Sequence, residues 1–257
     1  MPPEPPSHTG AVPTRSLDNA GATDLRLQRS TPPAFLWLLV LSVLAALVPT
    51  VWTGLDIGAA SLFSGPDAPM HSVQWWWVTW INDWVPAAFR GMLASALVVW
   101  LVLVFSKRSA TMQRVLVYVV LAGILGPGAV VNLGFKDHWQ RARPYQVQNF
   151  GGTSQFTRAA VITDQCDANC SFVSGHVACG VFFASLALLH RRRQWAWAVV
   201  GTMSGLVIGF ARMSDSAHWL SDVLWAFPIT LCTCWLVWQA VVRFYGRPAR
   251  KPSSTVG

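Results

Sequence analysis

Three short polar stretches of this 257-residue chain combine residue types suited to chemistry on an anion. They read KDHWQRARP from position 136, SFVSGH from position 171 and ARMSDSAHWLSD from position 211. Lysine and arginine match phosphate oxygens well, and the guanidinium fork binds two of them at once. The candidate anion-binding residues are Lys136, Arg143, Ser174, Gly175 and Arg212. Few acids lie near the three cations, so a phosphate group is the ligand that this set predicts.

The second stretch places an imidazole, His176, one turn inside an apolar run. An ionisable side chain in such a segment indicates a functional site unless it lies at an interface. Ser174 and Gly175 stand at the predicted start of the helix, where free backbone N–H groups and the helix dipole attract anions. Glycine also lets an anion approach the backbone closely.

The third stretch contains His218 and Asp222, four residues apart. This spacing predicts one face of a helix that Ser216 caps. An aspartate bonded to one imidazole nitrogen fixes the tautomer and raises the basicity of the other nitrogen, which suits a nucleophile. His176 is then available as a general acid. The alternative is that each histidine is only an interfacial residue and that the arginines contact lipid headgroups, but three clusters on one face favour a catalytic site.

The elements that position these residues are membrane helices. Hydrophobic residues make up 53% of the chain, charged residues 12%, and the mean hydropathy is +0.40. This composition predicts an all-α, polytopic membrane protein with six transmembrane helices, because each of six apolar stretches is long enough to cross a bilayer. The stretches are about 34–53, 87–105, 113–135, 172–189, 195–211 and 223–242.

Three parts of the chain are predicted from the same pattern. Residues 1–33 lack hydrophobic periodicity and are expected to form a disordered tail, residues 34–243 form the six-helix membrane domain, and residues 244–257 form a basic tail. The first 33 residues contain no apolar core of a signal peptide, so the first span is expected to act as an uncleaved anchor.

The distribution of positive charge predicts the orientation. Most of the 19 lysines and arginines lie in the two tails and in the loops near 106–114 and 190–194, and such residues are retained on the cytoplasmic side. Both tails are therefore expected to be cytoplasmic, and the three polar stretches lie on the opposite face. The net charge of +8 reflects this topology, and no basic-aromatic cluster indicates nucleic-acid binding.

The segments outside the three polar stretches make further predictions. The loop 54–86 carries a tryptophan-rich run, WWWVTWINDW, which is expected to form a short interfacial helix, either lining a lipid entrance or simply anchoring the loop. Glycines 201, 205 and 209 lie on one helix stripe and indicate close helix packing. Cys166 and Cys170 are candidates for a short disulfide if their compartment is oxidising, with free thiols as the alternative; a zinc site lacks two further ligands.

The three stretches resemble the tripartite signature of the type 2 phosphatidic acid phosphatase superfamily. That signature is Lys, six residues, Arg-Pro; then Pro-Ser-Gly-His; then Ser-Arg, five residues, His, three residues, Asp. The matching positions are Lys136, Arg143, Pro144, Ser174, Gly175, His176, Arg212, His218 and Asp222. Two positions depart from it: Val173 replaces the proline, and Ala211 replaces the serine and removes a hydroxyl that would contact phosphate.

The resemblance implies a metal-independent phosphatase without a cofactor. In such an enzyme His218 attacks phosphorus, Asp222 orients it, His176 protonates the leaving oxygen, and water hydrolyses the phosphohistidine. The implied setting is the periplasmic face of a bacterial inner membrane, with membrane lipids around the chain and a lipid phosphate as substrate. Candidates are undecaprenyl diphosphate, phosphatidylglycerophosphate, phosphatidate and lipid A, and the lead-in from Cys166 to Phe172 is similar to that of lipid A phosphatases. Protein partners stay open.

Three alternatives follow from the same residues. A phosphotransferase of the same fold would pass the phosphoryl group to a lipid acceptor in place of water. A non-enzymatic lipid or ion transporter is disfavoured because spans four to six carry no charge near their centres and the polar residues cluster at one end. A vanadium haloperoxidase is disfavoured because those members of the superfamily are soluble and larger.

Overall fold

The computed structural model describes residues 30–66, 68–70 and 75–245. The predictions for residues 1–29 and 246–257 therefore lie outside the described residues. The described part is helical, as predicted. Its helices are α1 (Pro33–Val51), α2 (Gly54–Ser61), α3 (Trp76–Phe105), α4 (Ala110–Phe135), α5 (Lys136–Trp139), α6 (Gly175–Leu188), α7 (Gln194–Ser214) and α8 (Leu220–Tyr245).

Five of these helices are long and apolar enough to cross a membrane: α1, α3, α4, α7 with the short turn that precedes it, and α8. The predicted fourth span corresponds to α6, which is shorter. Its first half is α-helical and its second half, Phe182–Leu188, is a 3₁₀-helix. At the usual rise per residue it reaches roughly 24 Å, less than the roughly 30 Å of a hydrocarbon core. A count of six spans stays a prediction.

Helix α6 is surrounded by the others and forms the centre of the core. Nearly all of its residues are buried, and the Phe182 ring meets the Phe89 ring of α3 edge to face at 5.2 Å. Helix α7 approaches α6 through its glycine stripe: a Cβ atom added at Gly201 would lie 2.2 Å from the main-chain nitrogen of Ala184. The sequence prediction that these glycines serve close packing is confirmed.

The tryptophan-rich run does not form a separate interfacial helix in a loop, and that prediction is wrong. It makes up the first turns of α3, which continues without a break to Phe105. Trp76, Trp80 and Trp84 are exposed and follow one another at four-residue intervals on one helix face. Trp77 instead stacks on Phe210 of α7, with ring centroids 6.0 Å apart. Pro86 lies between the run and the apolar span but does not end the helix.

A folded loop between α5 and α6 covers the end of the bundle where the three polar stretches meet. Trp219, which precedes α8, is almost completely buried and packs against Phe156 of this loop, with ring centroids 4.8 Å apart. Its indole N–H donates to the carbonyl oxygen of Ala142 at 2.8 Å. The aromatic contact and the hydrogen bond fix the loop of the first polar stretch against the segment of the third.

Candidate active site

The predicted site residues lie at one end of the helical bundle. Lys136 begins α5 directly after α4, Ser174 immediately precedes α6, Arg212 is in the last turn of α7 and Asp222 is in the first turn of α8. Up-and-down helices return the chain to the same end after every second element, which explains why residues so far apart in sequence converge.

Two main-chain hydrogen bonds join the three polar stretches. The N–H of Ser171 donates to the carbonyl oxygen of Arg141 at 2.8 Å, which connects the second stretch to the first. The N–H of Ser174 donates to the carbonyl oxygen of Asp222 at 3.3 Å, which connects the second to the third. The backbone itself therefore helps to set the register of the site.

Two of the cations are held by one residue, Asn169. The Nε and Nη2 atoms of Arg143 donate to its carbonyl oxygen at 3.0 and 2.6 Å, and the Nζ atom of Lys136 donates to its side-chain oxygen at 3.3 Å. Asn169 adopts a left-handed backbone conformation, with φ +49°, which asparagine tolerates better than most residues. It lies inside the short loop that the disulfide between Cys166 and Cys170 closes, with the two Cα atoms 5.7 Å apart.

The third cation, Arg212, pairs with an acid that lies outside the predicted set. Its Nη1 atom is 3.3 Å from Oδ2 of Asp215, and Asn82 of α3 donates to the same oxygen at 3.1 Å. Burial raises the pKa of the Asp215 carboxyl, and the Arg212 guanidinium opposes that shift. The pairing leaves part of the guanidinium available, because its buried Nε atom has no hydrogen-bonding partner in the described part of the chain.

Buried polar atoms without partners mark the centre of the site. Within residues 30–66, 68–70 and 75–245, no group bonds to Ser174 Oγ, Arg212 Nε or either ring nitrogen of His218. An unsatisfied buried polar group is costly, and these four atoms belong to residues that the sequence predicts to bind or attack a phosphate. Gly175 has no room for a side chain, since a Cβ atom would lie 2.5 Å from Asn132 Oδ1. Hydroxyl, guanidinium and imidazole groups are suitable hydrogen-bonding partners for a phosphate oxyanion.

His218 is a buried, neutral imidazole at this point. Burial lowers its pKa to about 3, and the nearby Arg212 and Arg143 act in the same direction, while Asp222 opposes them. A neutral imidazole keeps a lone pair on one ring nitrogen, which an imidazolium has lost. His218 is therefore in the protonation state that a nucleophile needs.

The predicted relationship between His218 and Asp222 needs correction in two respects. The two residues do not share a helix, because α8 begins at Leu220 and His218 lies in the preceding segment. Ser216 does not cap that helix: its hydroxyl donates to the carbonyl oxygen of Phe63 and accepts from Ser64. The left-handed backbone at Ser216 turns the chain between α7 and α8, and that turn delays the start of the helix.

The carboxylate of Asp222 is held mainly by other donors. Its Oδ2 atom lies 3.7 Å from Nδ1 of His218, which is longer than a hydrogen bond. Oδ2 accepts from the main-chain N–H of Trp219 at 3.0 Å and from the hydroxyl of Ser171, and Oδ1 accepts from Nη1 of Arg141 at 2.5 Å. Asp222 is thus a fixed negative charge that faces Nδ1 of His218.

His176 lies where the site meets an open cavity between α3, α4 and α6. Its Nε2 atom is 3.0 Å from the carbonyl oxygen of Asn82, and because a carbonyl only accepts, this nitrogen carries a proton. Lys136, Arg143 and Arg212 are all near enough to interact with the ring electrostatically. The adjoining cavity has a volume of about 510 Å³ and is lined mostly by apolar residues of α3, α4 and α6, together with Arg90, Lys136 and His176.

Comparison with known proteins agrees with this arrangement. The sequence pattern of the PAP2 superfamily matches residues 113–245, the region that contains all three polar stretches. The chain belongs to the PAP2 superfamily. It is 36% identical over 133 residues to a lipid A 4'-phosphatase of Francisella tularensis subsp. novicida, covering 51% of this chain and 60% of that protein. It is 37% identical over 102 residues to a lipid A 4'-phosphatase of Rhizobium leguminosarum, covering 39% and 44%.

The match to these PAP2 relatives is partial. The aligned part spans less than two thirds of the length of each of these curated relatives. No solved structure matches the chain significantly.

Sequence reasoning missed several residues of this PAP2 site. Arg141 is completely buried and bonds to Asp222, although the sequence alone shows it only as one of 19 basic residues. Asn169 was noted only within the lead-in from Cys166 to Phe172, and Asp56 was not predicted to belong to the site. One signal was available for Arg141, because it lies two residues before Arg143 in the same polar stretch. The sequence gives no comparable signal for Asp56, which lies 85 residues away from its partner Arg141.

Proposed function

We propose that this PAP2-superfamily chain is a membrane lipid phosphatase that works through a phosphohistidine on His218. The observation that carries the proposal is the buried, neutral imidazole of His218 beside two arginines and an unpaired hydroxyl. A nucleophile with a free lone pair, next to groups that bind phosphate oxygens, is the arrangement that phosphoryl transfer needs.

The reaction has two steps. In the first, the lone pair of His218 Nε2 forms a bond to phosphorus while the phosphorus–oxygen bond to the lipid breaks. The leaving oxygen keeps that electron pair and takes a proton from His176, whose protonated form the charge of the bound phosphate favours. In the second, water attacks phosphorus and gives a proton to His176, the nitrogen–phosphorus bond breaks, and inorganic phosphate leaves with both histidines restored.

The cations stabilise the charge of the transferring group. Lys136, Arg143 and Arg212, with Ser174 Oγ and the N–H of Gly175, would hold the non-bridging phosphate oxygens. Such preorganised donors are worth several kcal/mol when water is excluded, and Arg143 and Arg212 are both more than nine-tenths buried. Because the protein itself supplies the positive charge, we expect the reaction to need neither a metal nor a cofactor.

The cavity beside His176 supports a lipid substrate. Its walls include Phe89, Leu93, Ile124 and Leu133, and apolar surface at membrane depth suits an alkyl chain rather than a water-soluble phosphate ester. A lipid whose chain occupies this cavity would place its phosphate between His176 and His218. We propose that this happens at the periplasmic face of the bacterial inner membrane, with both termini in the cytoplasm.

We propose lipid A as the substrate within this class. The support is the similarity to lipid A 4'-phosphatases of two Rhizobium species and of Francisella, together with a family match whose range, residues 113–245, contains the polar stretches that build the site. Undecaprenyl diphosphate, phosphatidylglycerophosphate and phosphatidate are the other substrates that the chemistry allows.

The test uses the full chain, purified in detergent and assayed in EDTA against these four lipids. We expect release of inorganic phosphate, with the highest kcat/KM for lipid A. Acid-labile, base-stable ³²P should appear on wild-type protein quenched during turnover of labelled substrate, and it should be absent from His218→Gln. His138→Gln, which alters an exposed histidine close to the site in sequence, is the matched control and should behave as wild type.

Each contrary outcome has a defined meaning. Turnover by folded His218→Gln would overturn the nucleophile, and loss of activity in EDTA that a metal restores would overturn the metal-independent mechanism. Label that appears on a lipid acceptor, with no phosphate released, would identify a phosphotransferase. A preference for another of the four lipids would correct the substrate and leave the reaction type in place.

A further inference from the structure

A buried ion cluster lies directly behind the proposed nucleophile. The guanidinium of Arg141 is fully buried and bridges two carboxylates, with Nη2 2.8 Å from Oδ2 of Asp56 and Nη1 2.5 Å from Oδ1 of Asp222. Its Nε atom donates to the carbonyl oxygen of Thr157 at 2.9 Å, and the group lies 5.3 Å from the centre of the Trp219 ring. The cation is therefore fixed from several sides.

Asp56 enters this cluster from α2, a different part of the chain. Its carboxylate accepts from the main-chain N–H of Ser221 at 2.8 Å and from the hydroxyl of Ser221 at 2.6 Å, in addition to Arg141. The N–H groups of the guanidinium and of the backbone can only donate. Burial and the neighbouring charge of Asp222 raise the pKa of the Asp56 carboxyl, and Arg141 and the Ser221 hydroxyl oppose that shift. The contacts favour the ionised carboxylate, because a protonated oxygen would need an acceptor where these groups offer hydrogens.

The charges of the cluster sum to a single negative charge, from one guanidinium and two carboxylates. Without Asp56, the close contact with Arg141 would neutralise Asp222. With Asp56 on the other side of the guanidinium, the negative charge of Asp222 is left to act on His218, whose Nδ1 atom is 3.7 Å away. In a low-dielectric interior, a net charge at Asp222 changes the electrostatic energy of the His218 ring strongly over this distance.

We infer that Asp56 is a positioning and charge-balancing residue, which keeps Asp222 effective by cancelling the charge of Arg141. The inference rests on the proposed function. When Nε2 of His218 bonds to phosphorus and Nδ1 keeps its proton, the ring becomes cationic, and it loses that charge when water releases phosphate. An uncompensated carboxylate beside Nδ1 stabilises the cation, so it favours formation of the phosphohistidine.

A purely structural role makes different predictions. Asp56 also bonds to the first turn of α8 and joins it to α2, so its replacement loosens the fold under either hypothesis. The hypotheses separate when both partners are neutralised together. Asp56→Asn alone leaves Asp222 neutralised by Arg141, whereas Asp56→Asn with Arg141→Gln restores the single negative charge while removing the ion pair between α2 and the cluster.

The experiment measures kcat, KM and the rate of phosphoenzyme formation in detergent, with unfolding followed by tryptophan fluorescence. For Asp56→Asn we expect kcat and the phosphorylation rate to fall about 100-fold, with KM within about threefold. The double variant should regain at least about tenfold over Asp56→Asn, although it is no more stable. Ser221→Ala, which removes two hydrogen bonds of the cluster but no charge, should lose only a few-fold.

The matched control is Asp164→Asn, which neutralises an exposed aspartate and should behave as wild type. The charge-balancing role is overturned if the double variant loses more activity than Asp56→Asn alone. It is also overturned if the activity of each variant simply follows its stability. If Asp56→Asn does not fold, the double variant decides: turnover well above that of His218→Gln supports the inference, and an inactive or unfolded double variant overturns it. Activity in His218→Gln would instead reject the proposed nucleophile.

Discussion

The carbonyl oxygen of Asn169 accepts two hydrogen bonds from the guanidinium of Arg143, at 3.0 Å from Nε and 2.6 Å from Nη2. Asn169 also accepts from Lys136, so one loop residue positions two of the three cations proposed to hold the phosphate. The loop is short and is closed by the disulfide between Cys166 and Cys170. The disulfide therefore restrains the loop whose Asn169 contacts these cations.

We predict that opening this disulfide weakens substrate binding more than it slows the chemical step. Cys166→Ser with Cys170→Ser should raise KM for the lipid about tenfold, as expected when positioned charged groups lose their geometry, and kcat should change less. Dithiothreitol should do the same to the wild type. Cys232→Ser, which replaces an exposed free cysteine, is the control. An unchanged KM in the double variant would show that the loop holds its shape without the cross-link.

The glycine stripe of α7 predicts a site-specific stability effect. Gly201→Ala should destabilise the protein by about 1–3 kcal/mol, the usual cost of overpacking, because its Cβ atom would meet the backbone of α6 at Ala184. Gly91→Ala in α3 is the matched control, since nothing lies within 4 Å of its added Cβ atom, and better helix propensity should leave it unchanged or slightly more stable. Equal thermal unfolding temperatures for the two variants would contradict this packing.

The sequence predicted the membrane fold and the convergence of the site residues because both depend on regular spacing. Apolar stretches of sufficient length determine the number of chain reversals, and these reversals bring His176 and His218 to the same end. The Arg141–Asp56 pair was beyond sequence reasoning, since only tertiary packing decides which of several outer arginines and aspartates become buried together. The continuity of α3 through its tryptophans was missed because an interfacial helix and the first turns of a span share one amphipathic pattern.

The predicted orientation is tested by labelling from outside. A cysteine introduced at Thr153, which is exposed in the loop above the site, should react with a membrane-impermeant maleimide on intact spheroplasts. A cysteine at Arg108, which is exposed between α3 and α4 at the other end of the bundle, should react only after permeabilisation. Both are made in a Cys232→Ser background. The reverse labelling pattern would place the site in the cytoplasm.

Acid should destabilise the protein through His218. Its pKa is about 3 in the folded chain, against 6.5 for a free histidine, so the unfolded chain binds a proton that the folded chain excludes. The stability that this provides is fully present above pH 6.5 and is lost as the pH falls from 6.5 toward 3. At pH 4.5 the loss is roughly 3 kcal/mol.

The measurement compares thermal unfolding of wild type and His218→Gln in detergent at pH 7.5 and pH 4.5. The wild type should lose more stability than His218→Gln between these two values, because glutamine does not titrate. His138→Gln leaves His218 in place, so the pH dependence of its stability should match that of the wild type. An identical pH dependence in wild type and His218→Gln would show that His218 is not held neutral by the fold.

The different tasks proposed for His176 and His218 predict different responses to the leaving group. His218→Ala should abolish turnover of every substrate, because no covalent intermediate can form. His176→Ala removes only proton donation, worth about 10²–10⁴-fold, and the need for that proton grows with the basicity of the leaving oxygen. A lipid alkoxide is strongly basic, whereas a nitrophenolate ion and the lipid phosphate released from a diphosphate are not.

His176→Ala should therefore reduce kcat/KM more for a lipid monoester than for nitrophenyl phosphate or undecaprenyl diphosphate, among substrates that the wild type accepts. The comparison needs folded protein, which the same thermal unfolding assay establishes for each variant. Cys179→Ser alters another residue that lines the cavity of His176 without removing a proton donor, so its effect should not depend on the leaving group. Equal losses of kcat/KM across the substrates for His176→Ala would mean that His176 helps to bind the phosphate and does not protonate the leaving oxygen.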